Sequence, residues 1–319
     1  MALRFRPMRS KDVRQCVEIV ATNSVVSPRY GSAIAHLETA WLRLLGREAF
    51  RAFVFEELGR SDVTLVGVGV STFVSDDFLR TLKTPPFVWA GAEMVKRVMR
   101  GESPFLSDKQ VRQANADGGL NVVVWEGTIR EVFRNRPEVH NTLLATFVDV
   151  HRGFLLKEML GQMTSEEALQ ATVHSGNLFL SSIDGQYIDY MERPAHALLA
   201  EPHFIGINRE LALDRVGTWI GSLFVYQSPQ FGFRPSEQRL LLAALRGGTD
   251  EDLAETLGIS LSAVKKTWRL IYDRVAARSP GLIPDQVPEE LTSERGKEKK
   301  HRLLAYLREH PEELRPATL

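Results

Sequence analysis

The chain of 319 residues has little cysteine, no excess of either charge and no long hydrophobic run. Its single cysteine, Cys16, excludes an intramolecular disulfide and a cysteine-based metal site. With 40 basic and 40 acidic residues the formal net charge is zero, so any affinity for nucleic acid must come from a local cluster of charge. The longest nearly apolar run, residues 65–74, is far shorter than the roughly 20 residues of a membrane span, and residues 1–15 contain no apolar core of a signal peptide. We therefore expect a cytoplasmic protein with no membrane partner.

The first part of the chain, residues 1–230, alternates strand and helix patterns. Strands are predicted at Leu3–Met8, Phe50–Glu56, Val63–Val74, Asn121–Trp125, Leu178–Ile183 and Trp219–Gln227. Helices are predicted after an N-cap at Ser10, at Ser32–Leu45 and at Val139–Gln162. This alternation predicts an α+β (or α/β) domain with a mixed sheet.

The rest of the chain has a different pattern of apolar residues. Residues 231–279 carry three helical patterns and no strand pattern, which predicts a small all-α domain. Residues 280–319 combine a proline-broken connector and a charged run with a short amphipathic helix at His301–His310, which we expect to be a peripheral tail.

The stretch LAETLGISLSAVKKTWRLIYDRV, Leu253–Val275, has the pattern of two helices joined by a tight turn. Gly258 suits the left-handed residue that ends the first helix, and Ser260 suits the N-cap of the second. At about 100° per residue, one face of the second helix is apolar. That face carries Val264, Trp268, Ile271 and Val275, and the opposite face carries Ser262, Lys265, Lys266 and Arg269. A basic helix face is usually just solvated, but its combination with the turn and the all-helical context indicates a helix-turn-helix.

The segment from Phe233 to Val275 resembles the LuxR-type helix-turn-helix domain of bacterial transcription regulators. The resemblance runs through Ser236-Glu237, Leu240-Leu241, Gly247-Gly248-Thr249, Asp252-Leu253-Ala254, Leu257-Gly258-Ile259-Ser260, Val264-Lys265 and Ile271-Tyr272. It implies that the helix Leu261–Ala277 enters the major groove of double-stranded DNA as part of a homodimer. The implied base or groove contacts are Lys265, Lys266 and Arg269, beside Ser262, and weaker phosphate candidates are Arg239, Arg246 and Arg274. The sequence departs from the family at Ala263 and Thr267.

The first 75 residues look like the start of a GNAT-type acyltransferase fold. Such a fold holds the pyrophosphate of acyl-CoA with an Arg/Gln-x-x-Gly-x-Gly/Ala loop that follows a strand, through backbone N–H groups and a helix N-terminus. Neither Glu126–Glu131 nor Arg152-Gly153 supplies that loop, so the resemblance implies a degenerate version with no cofactor. The alternative is a PAS- or GAF-type sensor domain that binds a small-molecule effector. No Gly-x-Ser-x-Gly elbow and no histidine pair with metal spacing is present.

These patterns lead to one expectation and two alternatives. We expect a DNA-binding transcriptional regulator that is not an enzyme, with a front domain that senses a small molecule or dimerises. One alternative is an acyltransferase fused to a DNA-binding domain. The other is a helix trio that binds a protein partner.

Overall fold

A computed structural model of the chain describes residues 2–59, 63–163, 204–283 and 292–316, with short pieces at 172, 178–180, 187–188 and 202. The chain divides into two compact units, Met1–Val225 and Tyr226–Leu319, which are called the front unit and the helical unit below. Of the predicted strand Leu178–Ile183, only residues 178–180 are described. The segments 284–291 and 317–319 of the predicted C-terminal region lie outside the described residues.

The front unit contains an eight-stranded mixed sheet. Its strands are β1 Ala2–Pro7, β2 Phe50–Leu58, β3 Val63–Val74, β4 Leu120–Ile129, β5 Leu156–Gly161, β6 Leu178–Leu180, β7 Tyr187–Ile188 and β8 Ile205–Asn208. Their order is β1-β2-β3-β4-β5-β8-β6-β7, and every neighbouring pair is antiparallel except β4 and β5, which run parallel. Parallel neighbours need a crossover, and a helix between β4 and β5 supplies it.

Helices cover the sheet of the front unit. They are α1 Ser10–Thr22, α2 Ser27–Tyr30, α3 Leu37–Leu44, α4 Asp76–Leu82, α5 Ala90–Met99, α6 Asp108–Ala116, α7 Pro137–His151, α8 Arg209–Leu213 and α9 Trp219–Phe224. Residues 31–36 form a 3-10 turn between α2 and α3. Large side chains such as Trp41, Phe73 and Phe154 are fully buried between these layers. Cys16 is buried on α1 as the apolar spacing predicts.

The structure corrects several predicted elements. Helix α7 ends at His151, and Arg152-Gly153 begins the turn that leads into β5, so the single helix predicted for Val139–Gln162 is wrong. Gly153, with φ of 85°, permits that turn. The segment predicted as a strand at Trp219–Gln227 begins as helix α9, capped by Thr218, whose hydroxyl accepts from the N–H of Gly221. The predicted cap Ser10 is the first residue of α1, and Arg9 is its N-cap.

The described residues of the helical unit form four α-helices. They are α10 Pro235–Leu245, α11 Asp250–Leu257, α12 Leu261–Arg278 and α13 Thr292–Glu309, followed by a 3-10 turn at Pro311–Leu314. Its core includes Leu240, Leu253, Val264, Trp268 and Ile271, and the same core contains Leu303, Leu304, Leu307 and Leu314. The tail helix is therefore an integral part of this unit, and the expectation of a peripheral tail is wrong.

The mixed sheet predicted for the front domain is confirmed. None of the described helices is both long enough and apolar enough to cross a membrane.

Candidate functional site

The parallel strands β4 and β5 separate part-way along the sheet. Their pairing extends from Leu120 opposite Leu156 to Val124 opposite Gly161, where β5 ends. Strand β4 continues to Ile129, paired with β3 on its other edge. The edge of β4 beyond Val124 that faced β5 has no strand partner among the described residues.

A β-bulge lies at the point of separation. Val70 of β3 pairs with Glu126 and Ser71 pairs with Val124, so Trp125 is the extra residue of β4. The bulge places both Trp125 and Glu126 against Tyr30 at the end of α2. The indole N–H of Trp125 donates to the Tyr30 hydroxyl at 3.1 Å, and that hydroxyl donates to Oε2 of Glu126 at 2.9 Å.

Glu126 is a buried carboxylate with three hydrogen-bond donors. Besides Tyr30, the Thr128 hydroxyl and the Gly127 backbone N–H donate to its Oε1, at 2.5 and 3.0 Å. Burial raises the pKa of the Glu126 carboxyl above its ordinary value. The three hydrogen-bond donors and the charge of Arg29 act in the opposite direction, but burial is the largest effect. Burial, with the charge of Glu126, likewise raises the pKa of Tyr30 well above its ordinary value. The pair therefore forms a buried carboxylate and phenol in which the shared proton stays on Tyr30.

Helix α5 and the end of β5 shape the same region. A Cβ on Gly91 would lie 2.8 Å from the Tyr30 hydroxyl oxygen, so only glycine allows Tyr30 to approach α5. Gln162 follows β5 and joins the start of α5: its Oε1 accepts from the N–H of Ala90 at 2.7 Å, and its Nε2 donates to the carbonyl of Val88 at 3.0 Å. Beside Gly127, by contrast, an added Cβ would meet no described atom within 4 Å, which leaves open space next to the β4 backbone.

Sequence reasoning missed this arrangement. Glu126 lies in a stretch with no glycine-rich loop, and its partner Tyr30 is 96 residues away in the chain. A lone glutamate within an apolar strand was the available signal, because an unpaired carboxylate is rarely buried.

The segment that corresponds in position to the pyrophosphate-binding loop of a GNAT-type fold is neither of the two segments named in the sequence analysis. It follows β4 and precedes α7, where Arg134-Asn-Arg-Pro137-Glu-Val139 stands in register with Arg/Gln-x-x-Gly-x-Gly/Ala. Proline and valine occupy both glycine positions. The residues therefore do not fit the pyrophosphate of coenzyme A in the manner of that loop.

The predicted DNA-contacting residues lie on α12 of the helical unit. Gly258 is left-handed, with φ of 64°, and the Ser260 hydroxyl accepts from the N–H of Ala263, so both the turn and the cap form as the residues predict. Val264, Trp268, Ile271 and Val275 are buried on one face. The exposed side chains of the opposite face are Ser262, Lys265, Lys266 and Arg269.

The other candidates separate into two groups. Arg239 and Arg246 are exposed on and just after α10. Arg274 instead forms an ion pair with the buried Glu237, with Nε and Oε2 3.1 Å apart. That arginine joins α12 to α10, which gives it a structural role that the sequence pattern did not reveal.

Comparisons with known proteins find solved structures but no family model and no curated protein. The C-terminal condensation domain of Ebony in complex with beta-alanyl-dopamine is 13% identical, with 65% of this chain and 97% of that chain covered and a TM-score of 0.38. The arylalkylamine N-acetyltransferase 7 of the yellow fever mosquito is also 13% identical, covering 65% of this chain and 87% of its own, with a TM-score of 0.38. The aminoglycoside acetyltransferase AAC(6')-Ib in complex with coenzyme A is 11% identical, covering 67% and 99%, with a TM-score of 0.34.

These comparisons change two expectations. The prediction that the chain is not an enzyme is overturned, because several of the matched chains are acetyltransferases. The LuxR-type resemblance of Phe233–Val275 receives no support from them. Identities of 9–13% and TM-scores of 0.31–0.38 transfer neither substrate nor site to this chain, which therefore have to be argued from its own geometry.

Proposed function

We propose that the front unit transfers an acyl group from a thioester to a nucleophilic acceptor, and that the helical unit binds double-stranded DNA. The observation that supports the first half is the buried Glu126 where β4 separates from β5. A general base works best when its pKa lies near the working pH, and burial moves the pKa of Glu126 in that direction. The edge of β4 beyond Val124 has no strand partner among the described residues, and its backbone N–H groups other than that of Gly127, which donates to Glu126, can bind the thioester carbonyl.

The proposed reaction balances on the groups of this region. An acceptor amine attacks the thioester carbon, the new C–N bond forms, and its proton passes to the Glu126 carboxylate directly or through the Tyr30 hydroxyl. The C–S bond then breaks, and the sulfur leaves as a thiolate that takes up a proton. Backbone N–H groups of β4 other than that of Gly127 hold the charge that develops on the carbonyl oxygen.

Thiol release tests this half of the proposal. The full-length protein is incubated with acyl thioesters of different chain length and with a panel of amines, and free thiol is measured. We expect acceptor-dependent release that is lost in Glu126→Gln. Glu57→Gln is the matched control, because Glu57 is a buried carboxylate of the same sheet that pairs with Arg136. Equal release by wild type and Glu126→Gln would remove Glu126 from the reaction.

The observation that supports DNA binding is the exposed basic face of α12. Lys265, Lys266 and Arg269 form no ion pair within the described residues, and this face lies opposite the side of α12 that packs into the unit. Arginine and lysine donate to guanine O6 and N7 in the major groove. Because a palindrome is read by two copies, we propose that the protein binds such a site as a homodimer.

Selection from a random-sequence duplex library tests this second half. Retained DNA is sequenced at two salt concentrations, since neutralised phosphates make affinity fall steeply with salt. An enriched motif with two half-sites is the expected result. Retention that neither enriches a motif nor depends on salt would contradict DNA binding and favour a protein partner.

A further inference from the structure

The start of helix α7 differs from an anion-binding helix start in its backbone donors. Residue 137 is proline, which has no N–H. The N–H of Val139 donates to the carbonyl of Arg136 at 3.0 Å, and the N–H groups of Arg136 and Arg134 donate to Phe133 and Glu131 at 3.2 and 3.1 Å. With the N–H of Glu138, which donates to its own carboxyl, five of the six positions from 134 to 139 lack a donor or have already used it.

The same helix start carries its own negative charge. Glu138 accepts a hydrogen bond from its own backbone N–H, and this bond, with the Arg136 guanidinium, holds the pKa of its carboxyl below the ordinary value. An ionised carboxylate thus occupies the place at which a helix N-terminus attracts an anion. A second anion there would meet like-charge repulsion.

The side chains of Arg136 and Val139 at this helix start already have other contacts. Arg136 donates to Glu57 and to Glu138, at 2.7 Å in each case. Val139 is buried in a small cluster with Phe55 and Val66, so its side chain fills space that a glycine would leave for a phosphate. Backbone donors, charge and packing all act against a pyrophosphate at this place.

We propose that the front unit takes an acyl thioester recognised by its pantetheine-type arm, with no recognition of a nucleotide. This proposal rests on the acyl transfer proposed above and specifies its donor. The unpaired edge of β4 beyond Val124 can bind the amide groups of such an arm as a strand binds its neighbour. Carrier-bound phosphopantetheine thioesters and free pantetheine thioesters share this chemistry.

Paired donors test the proposal. Acetyl-CoA and S-acetylpantetheine differ only in the phosphorylated nucleotide, and the same comparison is made with the longer acyl groups of the panel. We expect kcat/KM values within about tenfold of one another, equivalent to less than about 1.4 kcal/mol of transition-state binding. A preference for the CoA thioester well beyond tenfold would overturn the inference and leave acyl transfer standing. Absence of thiol release from every donor would contradict the proposed acyl transfer itself, and the donor assignment that rests on it.

A binding measurement separates the nucleotide from the reaction. Adenosine 3′,5′-bisphosphate is titrated into the full-length protein by calorimetry, and no binding is expected up to millimolar concentration. Binding in the micromolar range would overturn the inference whatever the activity. In Pro137→Ala/Glu138→Gln, which restores one N–H and removes the carboxylate charge, we expect a shift in kcat/KM in favour of the CoA thioester. Glu131→Gln, an exposed carboxylate in the same loop, is the control and should show no shift.

Discussion

The two units differ in the charged side chains of their candidate sites. In the front unit, carboxylates such as Asp12, Glu56, Glu57 and Glu126 are buried among arginines, hydroxyls and backbone N–H groups. The helical unit also buries a carboxylate, Glu237, beside Arg274, but its candidate site is a row of lysine and arginine side chains that are exposed on α12. Buried charge needs partners and is sensitive to its surroundings, whereas exposed charge costs little and is available to a partner. In the functions proposed above, the buried carboxylate serves proton transfer and the exposed basic row serves binding of a polyanion.

Substitution of Glu126 has the largest expected effect. Glu126→Gln removes the base but keeps the size of the side chain, and loss of a general base lowers turnover by about 10²–10⁴-fold. Single-turnover thiol release measures the change. Activity in the wild type should fall as the pH falls through the raised pKa of Glu126, because only the ionised carboxylate accepts a proton. A pH profile with the same acid limb in wild type and Glu126→Gln would contradict this assignment.

Removal of the basic face has the next largest effect. Lys265→Ala and Arg269→Ala should each weaken binding to the selected DNA by about 1–3 kcal/mol and relax its specificity. Titration of labelled duplex at two salt concentrations gives both affinity and salt slope. Arg302→Ala is the control, because Arg302 is exposed on α13, where it pairs with Glu298. Unchanged affinity after the double substitution would show that α12 does not contact DNA.

The buried charges of the front unit make its stability depend on pH. The guanidinium of Arg6 and the N–H of Arg9 hold the pKa of Asp12 below its usual range. A carboxyl with a depressed folded pKa contributes stability that is present above its unfolded pKa and is lost as pH falls through the folded pKa. Urea unfolding at decreasing pH should therefore show a falling midpoint in wild type. Asp12→Asn should begin less stable by about 1–3 kcal/mol and lose less on acidification, and equal pH slopes would contradict this role.

The sequence predicts local features well and long-range ones poorly. Gly258, Ser260 and the apolar stripe of α12 act within a few residues, so spacing alone places them correctly. The start of strand β5 was hidden because only the short turn Arg152-Gly153-Phe154-Leu155 separates Leu156–Gly161 from the helix before it. The Glu126–Tyr30 pair was hidden for another reason: a β-bulge and a helix end 96 residues away create it, and neither leaves a periodic pattern. Arg274 was assigned to DNA because a helical wheel does not show the buried carboxylate of Glu237 on a neighbouring helix.

Substitution of Gly258 in the turn before α12 has the smallest expected effect. It tests whether the backbone of this turn positions the basic face of α12. Gly258 has φ of 64° and no described atom within 4 Å of an added Cβ, so Gly258→Ala introduces backbone strain but no clash. The left-handed conformation costs a residue with a Cβ about 1–2 kcal/mol. Gly281→Ala is the matched control, since its added Cβ is equally uncrowded and its φ does not lie in the left-handed range. Urea unfolding should therefore show a loss of stability in Gly258→Ala alone. Because the turn sets the angle between α11 and α12, DNA affinity should fall in the same variant although no side chain of the basic face has changed. Full affinity in a Gly258→Ala protein of reduced stability would mean that the basic face binds as a patch of charge, without the fixed geometry of a helix in a groove.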